Sequence, residues 1–289
     1  MRWMSFGSPG AARPGVLLDD DQVLDLAGHW PAWPRSWRAL LEAGMLEEIE
    51  RRVRGGGTSS RHIHQLSTLR FAPPVTEPSK VIALGRNYPS HAAEQDRTVS
   101  EMPLLFAKAP SSLIGHQEAV IVPPEEHQPD FEAEMALVIG RTARRVAASA
   151  ALDHVAGITA FNDVSGREAQ FHDRLWFRGK GYDTFGPVGP WVTTLDEAGD
   201  PDDLGLRMIL NGRVEQSGRT SEMAFSCGEI IAFISRHLTL RPGDLIATGT
   251  PAGVGVFRDP PLFLRDGDRM EVELEGVGRL VNPVRRRNR

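Results

Sequence analysis

The chain has 289 residues, 40% hydrophobic and 25% charged, a balance typical of water-soluble globular proteins. A formal net charge of -5 offers no basic face for a phosphate backbone, which argues against nucleic acid as a partner. One cysteine, Cys227, excludes an intramolecular disulfide, no apolar run reaches the roughly 20 residues of a membrane span, and the opening MRWMSFGSPG lacks a secretory apolar core. A cytoplasmic protein with no membrane partner is therefore expected, with Cys227 as a buried structural thiol.

Residues 1–75 hold four of the six tryptophans, Trp3, Trp30, Trp33 and Trp37. Strands are expected at Gly15–Leu18 and Gln22–Leu26, turned by Asp19-Asp20-Asp21. A helical segment follows, with Trp37, Leu40, Leu41, Leu46 and Ile49 at helical spacing before the break at Gly55-Gly56-Gly57. Pro73–Pro78 reads as a stiff linker, so a small N-terminal α+β domain (1–75) precedes a larger one (76–289).

The larger segment is a series of short apolar strands, among them Val81–Leu84, Ala119–Val122, Met135–Ile139, Ile158–Phe161, Leu245–Thr248 and Met270–Leu274. One amphipathic helix interrupts them at about Cys227–Leu238, carrying Ile230, Ile231, Phe233 and Ile234. Many strands and few helices favour an α+β fold with a rolled or sandwiched sheet over a doubly wound one. The closing Arg285-Arg286-Arg287 and Arg289 read as a frayed, solvated tail.

Asp130-Phe131-Glu132-Ala133-Glu134 carries the strongest local chemistry. Alternation along a strand puts Asp130, Glu132 and Glu134 on one face. That face is either a solvated edge or a set of ligands for a hard divalent cation, which relieves like charges brought together. Asp163, at the end of an apolar strand, adds a third carboxylate, and a set with no nearby cysteine or histidine suits Mg²⁺ or Mn²⁺. His91 and Glu94, three apart on a helix after Pro89, can hydrogen-bond as a surface pair or as a general base with its orienting carboxylate. Lys180 stands between two glycines, aimed or solvated. Thr248–Gly255 is a Gly-rich loop able to offer N–H groups to an anion, without the lysine of a nucleotide P-loop.

In this order the segments GRNYPSHAAE (85–94), PLLFAK (103–108), DFEAEMALVIG (130–140), NDVSGREAQ (162–170), KGYDTFGPVGPW (180–191) and RPGDLIATGTPAGVG (241–255) resemble the fumarylacetoacetate hydrolase family. The likeness runs from about residue 78 to 284, and the first region resembles the short N-terminal domain of members acting on 2,4-dioxo sugar acids. The resemblance implies a mixed β-sheet roll, a homodimer and a Mg²⁺ (or Mn²⁺) site held by Glu132, Glu134 and Asp163. It implies a water-activating His91/Glu94 dyad, Lys180 and Gln170 stabilising developing negative charge, a substrate carboxylate held by Thr250, and Arg167 at the rim; Trp176, Phe177, Phe106 and Tyr88 are candidates for the pocket walls that set specificity. Asp130 then supports the ligands from behind.

The implied reaction is hydrolytic C–C cleavage of an acylpyruvate-like 2,4-dioxo acid, releasing a metal-stabilised pyruvate enolate. The same enolate chemistry serves an isomerase, decarboxylase or hydratase of 2-oxo acids, and a non-catalytic binding protein is a third reading. Arg86 stands where many members carry an apolar residue, a departure that bears on substrate choice.

Overall fold

The structure, a computed structural model, describes residues 1–56 and 60–287. Its framework is a twelve-stranded mixed sheet. The central strand Ala133–Ile139 lies antiparallel between Val155–Asn162 and Leu245–Ala247. Beyond Leu245–Ala247 come Val81–Gly85, parallel to it, and Leu104–Lys108 at one edge. On the other side Val155–Asn162 pairs with Gly186–Thr193, which pairs with Arg2–Phe6. Arg13–Leu17, Gln22–Asp25 and Ile63–Gln65 complete that flank. A five-stranded sheet, Arg213–Arg219, Gly205–Leu210, Arg269–Leu274, Gly278–Arg286 and Val120–Val122, covers one face of the first.

The central strand is buried along its whole length, and its alternation divides the two cores. Ala133, Met135, Leu137 and Ile139 face a core shared with Leu206, Met208, Val272 and Leu274 of the smaller sheet. Ala136 and Val138 face a second core containing Trp3, Trp37, Leu40 and Val188. Glu132 and Glu134 share the parity of that second face, so both are carried into the interior at the strand's start. The edge-strand reading is thereby excluded. The fold is the expected α+β sheet roll.

The helix Cys227–His237 begins at a capping box, the Ser226 hydroxyl accepting from the Glu229 N–H and the Glu229 carboxylate accepting from the Ser226 N–H. Its Cys227, Ile230, Ile231 and Ile234 enter the larger core, and burial raises the Cys227 thiol well above its ordinary pKa. Among the described residues no helix is long and apolar enough to cross a membrane.

Three expectations change. The helical segment after residue 36 is two helices, Trp37–Glu42 and Leu46–Arg54, because the chain reverses at Gly44, in the left-handed region at φ 66°. Gly57, part of the expected break after them, lies outside the described residues. Within Pro73–Pro78, Val75 is buried in the core with Trp3 and Trp37, so the segment is packed against the body. Arg285 and Arg286 are strand residues paired with Ile121 and Val122, since the parallel ladder of Val120–Val122 needs that partner; Arg289 lies outside the described residues.

Candidate active site

The register of two strands creates the acid cluster. Ala133 pairs with Asn162, and the Asp163 N–H donates to the Glu132 carbonyl at 2.9 Å, which sets Asp163 beside Glu132 and Glu134. One oxygen from each carboxylate lies within 4.8 Å of the other two, and all three side chains are buried. Glu134 Oε2 accepts the Gly249 N–H at 2.9 Å, whereas its Oε1 is buried with no hydrogen-bond partner. Burial, then the charges of Asp163 and Glu132, push the Glu134 carboxyl well above its ordinary range. Three hard oxygen donors, one orphaned and aimed into the cluster, fit a divalent cation of the Mg²⁺ or Mn²⁺ kind.

Two lysines and an arginine answer the remaining charge. Lys180 Nζ lies 2.8 Å from Glu132 Oε2 and 2.8 Å from Asp163 Oδ2. Burial opposes its ammonium form, but Asp163 and Glu132 outweigh it and raise its pKa. Lys108, fully buried, donates to Asp163 Oδ1 at 2.6 Å and also to the Lys180 carbonyl. Burial lowers the Lys108 pKa despite Asp163; Lys108 closes the PLLFAK segment, but sequence reasoning assigned it no role.

Arg167 is buried, contrary to its expected place at the rim. Its Nε and Nη2 donate to Asp130 Oδ2 at 2.9 and 2.8 Å, while Nη1 reaches Glu132 Oε1 and Gln170 Oε1, each at 2.9 Å. The cause is Asp130, a buried carboxylate that needs a cation and so draws the guanidinium inward. Asp130 thus supports Glu132 through Arg167, the supporting role its motif implied.

The Gly-rich loop also presents its N–H groups to anions, but to carboxylates of this chain. Gly249 donates to Glu134, Gly253 to Glu94, and Gly255 and Val256 to Asp130. Gly249 sits at φ 96°, and a Cβ there would meet Asn87 Cβ at 3.0 Å. Asn87, which sequence reasoning passed over, ties this loop to the helix cap by donating to the Thr248 carbonyl at 2.8 Å and accepting the Phe225 N–H at 3.0 Å.

His91 lies on the short helix Pro89–Ala93, its Nδ1 2.5 Å from Glu94 Oε1. The expected dyad is formed. His91, Glu132, Gln170, Lys180 and Thr250 line one cavity of about 410 Å³. Phe106 and Trp176 form part of its wall, and Arg86, Arg97, Arg167 and Arg174 also open on it. The Thr250 hydroxyl is engaged within the fold, donating to the Ala133 carbonyl and accepting from the Gln216 amide, both at 2.8 Å. Tyr88 is fully buried away from this lining, and its hydroxyl has no hydrogen-bond partner.

A buried carboxylate cluster and an imidazole–carboxylate pair opening on one small cavity, carried by a mixed-sheet roll, define an enzyme of small molecules. Residues 80–285 match the family model described as fumarylacetoacetate (FAA) hydrolase, C-terminal, and the chain belongs to that family. It is 38% identical over 289 residues to the mitochondrial oxaloacetate tautomerase fahd2 of Xenopus laevis, covering 98% of this chain and 90% of that one. Among solved structures it is similar to 2-hydroxyhepta-2,4-diene-1,7-dioate isomerase of Mycobacterium marinum, with a TM-score of 0.77 and 34% identity across all of both chains. It is also similar to maleylpyruvate hydrolase of Sphingobium sp. SYK-6 in complex with manganese(II) and pyruvate, with a TM-score of 0.80 and 31% identity across all of both chains.

Proposed function

We propose that this enzyme interconverts the enol and keto forms of a small 2-oxo dicarboxylate. The observation that carries the reading is the charge of the cavity: beyond Arg167 and Lys180, which are paired with Asp130, Glu132 and Asp163, three further arginines, Arg86, Arg97 and Arg174, line it. Such a surplus suits a ligand with two carboxylates. Similarity to oxaloacetate tautomerases over nearly the whole chain supports it.

Glu132, Glu134 and Asp163 would hold Mg²⁺ or Mn²⁺, which supplies Lewis-acid polarisation of the 2-oxo group. His91 takes the proton from the carbon beside that group at Nε2, the substrate taking the place of the Gln95 amide that otherwise meets this nitrogen at 2.8 Å, and the C–H electrons pass into the enolate. Glu94 holds the ring and stabilises its positive charge meanwhile. Return of that proton from His91 Nε2 to the enolate oxygen completes the enol and leaves the ring neutral, and the reverse path gives the keto acid. Lys180 stays an ammonium and offsets negative charge at the oxygen.

Hydrolytic C–C cleavage of a 2,4-dioxo acid is the second reading, supported by the formed His91/Glu94 pair and by the likeness to maleylpyruvate hydrolase. Product identity separates them. NMR of enol oxaloacetate with enzyme and Mn²⁺ should show one acid, the keto form, appearing faster than without enzyme. His91→Ala should slow this by about 10²–10⁴-fold. Two acids released from an acylpyruvate, with no acceleration of enol–keto exchange, would overturn the tautomerase reading in favour of the hydrolase.

A further inference from the structure

The His91/Glu94 pair continues in a chain that neither partner explains. Gln95 Nε2 lies 2.8 Å from His91 Nε2, and Arg86 Nε lies 3.1 Å from Gln95 Oε1. Arg86, Gln95 and His91 all line the cavity. Arg86 adopts the left-handed region at φ 54°, and its guanidinium lies 5.9 Å from the Trp176 ring. Trp176 comes so close to the chain here that a Cβ on Gly85 would overlap its ring.

The chemistry of the two ends fixes every donor between them. A guanidinium only donates, so the Gln95 oxygen must face Arg86. The Gln95 amide group then faces His91, and since NH₂ only donates, His91 Nε2 must accept with a bare lone pair. At the other end the Glu94 carboxylate only accepts, which places the ring proton on Nδ1. Glu94 cannot turn away freely, because its Oε2 holds the Gly253 N–H at 2.8 Å.

We infer that Arg86 and Gln95 are positioning residues that fix the tautomer of His91, with its proton on Nδ1 and its Nε2 lone pair turned to the Gln95 amide at the cavity wall. Each member has a separate task. Glu94 fixes the proton on Nδ1. Gln95 keeps Nε2 the accepting nitrogen by donating its NH₂ to it. Arg86 prevents Gln95 from rotating to offer its oxygen instead. The other groups around the ring are Glu132, whose charge interacts with it, and Phe257, with ring centroids 6.4 Å apart.

This inference rests on the reading of His91 as the base, yet its test needs no substrate. The full chain, labelled with ¹⁵N, gives the ring signals of its nine histidines, and those lost in His91→Asn identify His91. At neutral pH the parent and Arg86→Lys, which keeps a donor, should show one protonated ring nitrogen, Nδ1, and a bare Nε2. Gln95→Glu should show both nitrogens protonated, with kcat for enol–keto exchange lowered more than tenfold and KM changed less than threefold. Should Gln95→Glu not fold, Gln95→Met keeps the bulk without the donor and should shift the Nε2 resonance toward that of an unbonded nitrogen. A parent His91 protonated on Nε2, or an Nε2 signal unmoved by substitution at Gln95, overturns the inference. A parent with the expected ring signals but no exchange activity leaves it standing and overturns the proposed function instead.

Discussion

His91 and His116 show how differently one residue type can be set by its neighbours. At His116 the ring is half-buried, stands edge-on to Phe71 and accepts the Val281 N–H at Nδ1, 3.0 Å away. Burial and then Arg269 lower its pKa from 6.5 to about 4. Since the unfolded chain takes a proton near pH 6.5 and the folded chain only near 4, stability is complete above 6.5 and falls as pH drops through that window. A loss on the order of 3 kcal/mol is expected. Thermal melts from pH 7 to 4 should show it, and His116→Asn, which keeps an acceptor for Val281, should flatten the slope across that interval. An unchanged slope would show that other groups govern acid sensitivity. His116 drew no attention in the sequence because both its burial and its partner come from residues far along the chain.

The same distinction explains what was legible at the site. Glu132, Glu134 and Asp163 follow from strand alternation and motif order, which are local features. Lys108 and the inward turn of Arg167 depend on partners 55 and 37 residues away, and no local pattern encodes those pairings.

At the scale of elements, strands with uninterrupted apolar runs were readable, and so was the helix Cys227–His237. The reversal at Gly44 was hidden, because the two short helices it joins keep similar apolar spacing on both sides. Sheet order was not readable either: the pairing of Arg2–Phe6 with Gly186–Thr193 spans nearly 190 residues. The helix cap lends itself to a quantitative test. Ser226 accepts one orphan N–H, and Ser226→Ala removes that bond while leaving the buried helix face intact. The expected cost is about 1 kcal/mol, or roughly 2–4 °C in melting temperature. KM should hold, because Asn87 ties the cap to the site through the Phe225 backbone and not through the Ser226 side chain. A melting temperature within 0.5 °C of the parent, on this order-of-magnitude scale, would mean that the larger core holds the helix start without the cap.

At the scale of the whole molecule, the acid cluster sits where both cores meet the strand Ala133–Ile139, so its charge acts on global stability. Glu134 is the member without a cation, its Oε1 unpartnered. A divalent ion bound only by the folded chain should stabilise it by mass action, about 2.7 kcal/mol at a hundredfold excess over Kd. For a chain of this size that raises the melting temperature by roughly 5–10 °C. Glu134→Gln should cross the parent's behaviour. Gln keeps an oxygen for the Gly249 N–H and removes one negative charge from a buried cluster. Without metal the variant should therefore melt no lower than the parent, and with Mn²⁺ it should lose most of the rise. If Mn²⁺ and Mg²⁺ leave the parent's melting curve unmoved, or if Glu134→Gln keeps the full rise, the three carboxylates do not hold a divalent ion; Lys180, Lys108 and Arg167 would then be their counter-charges.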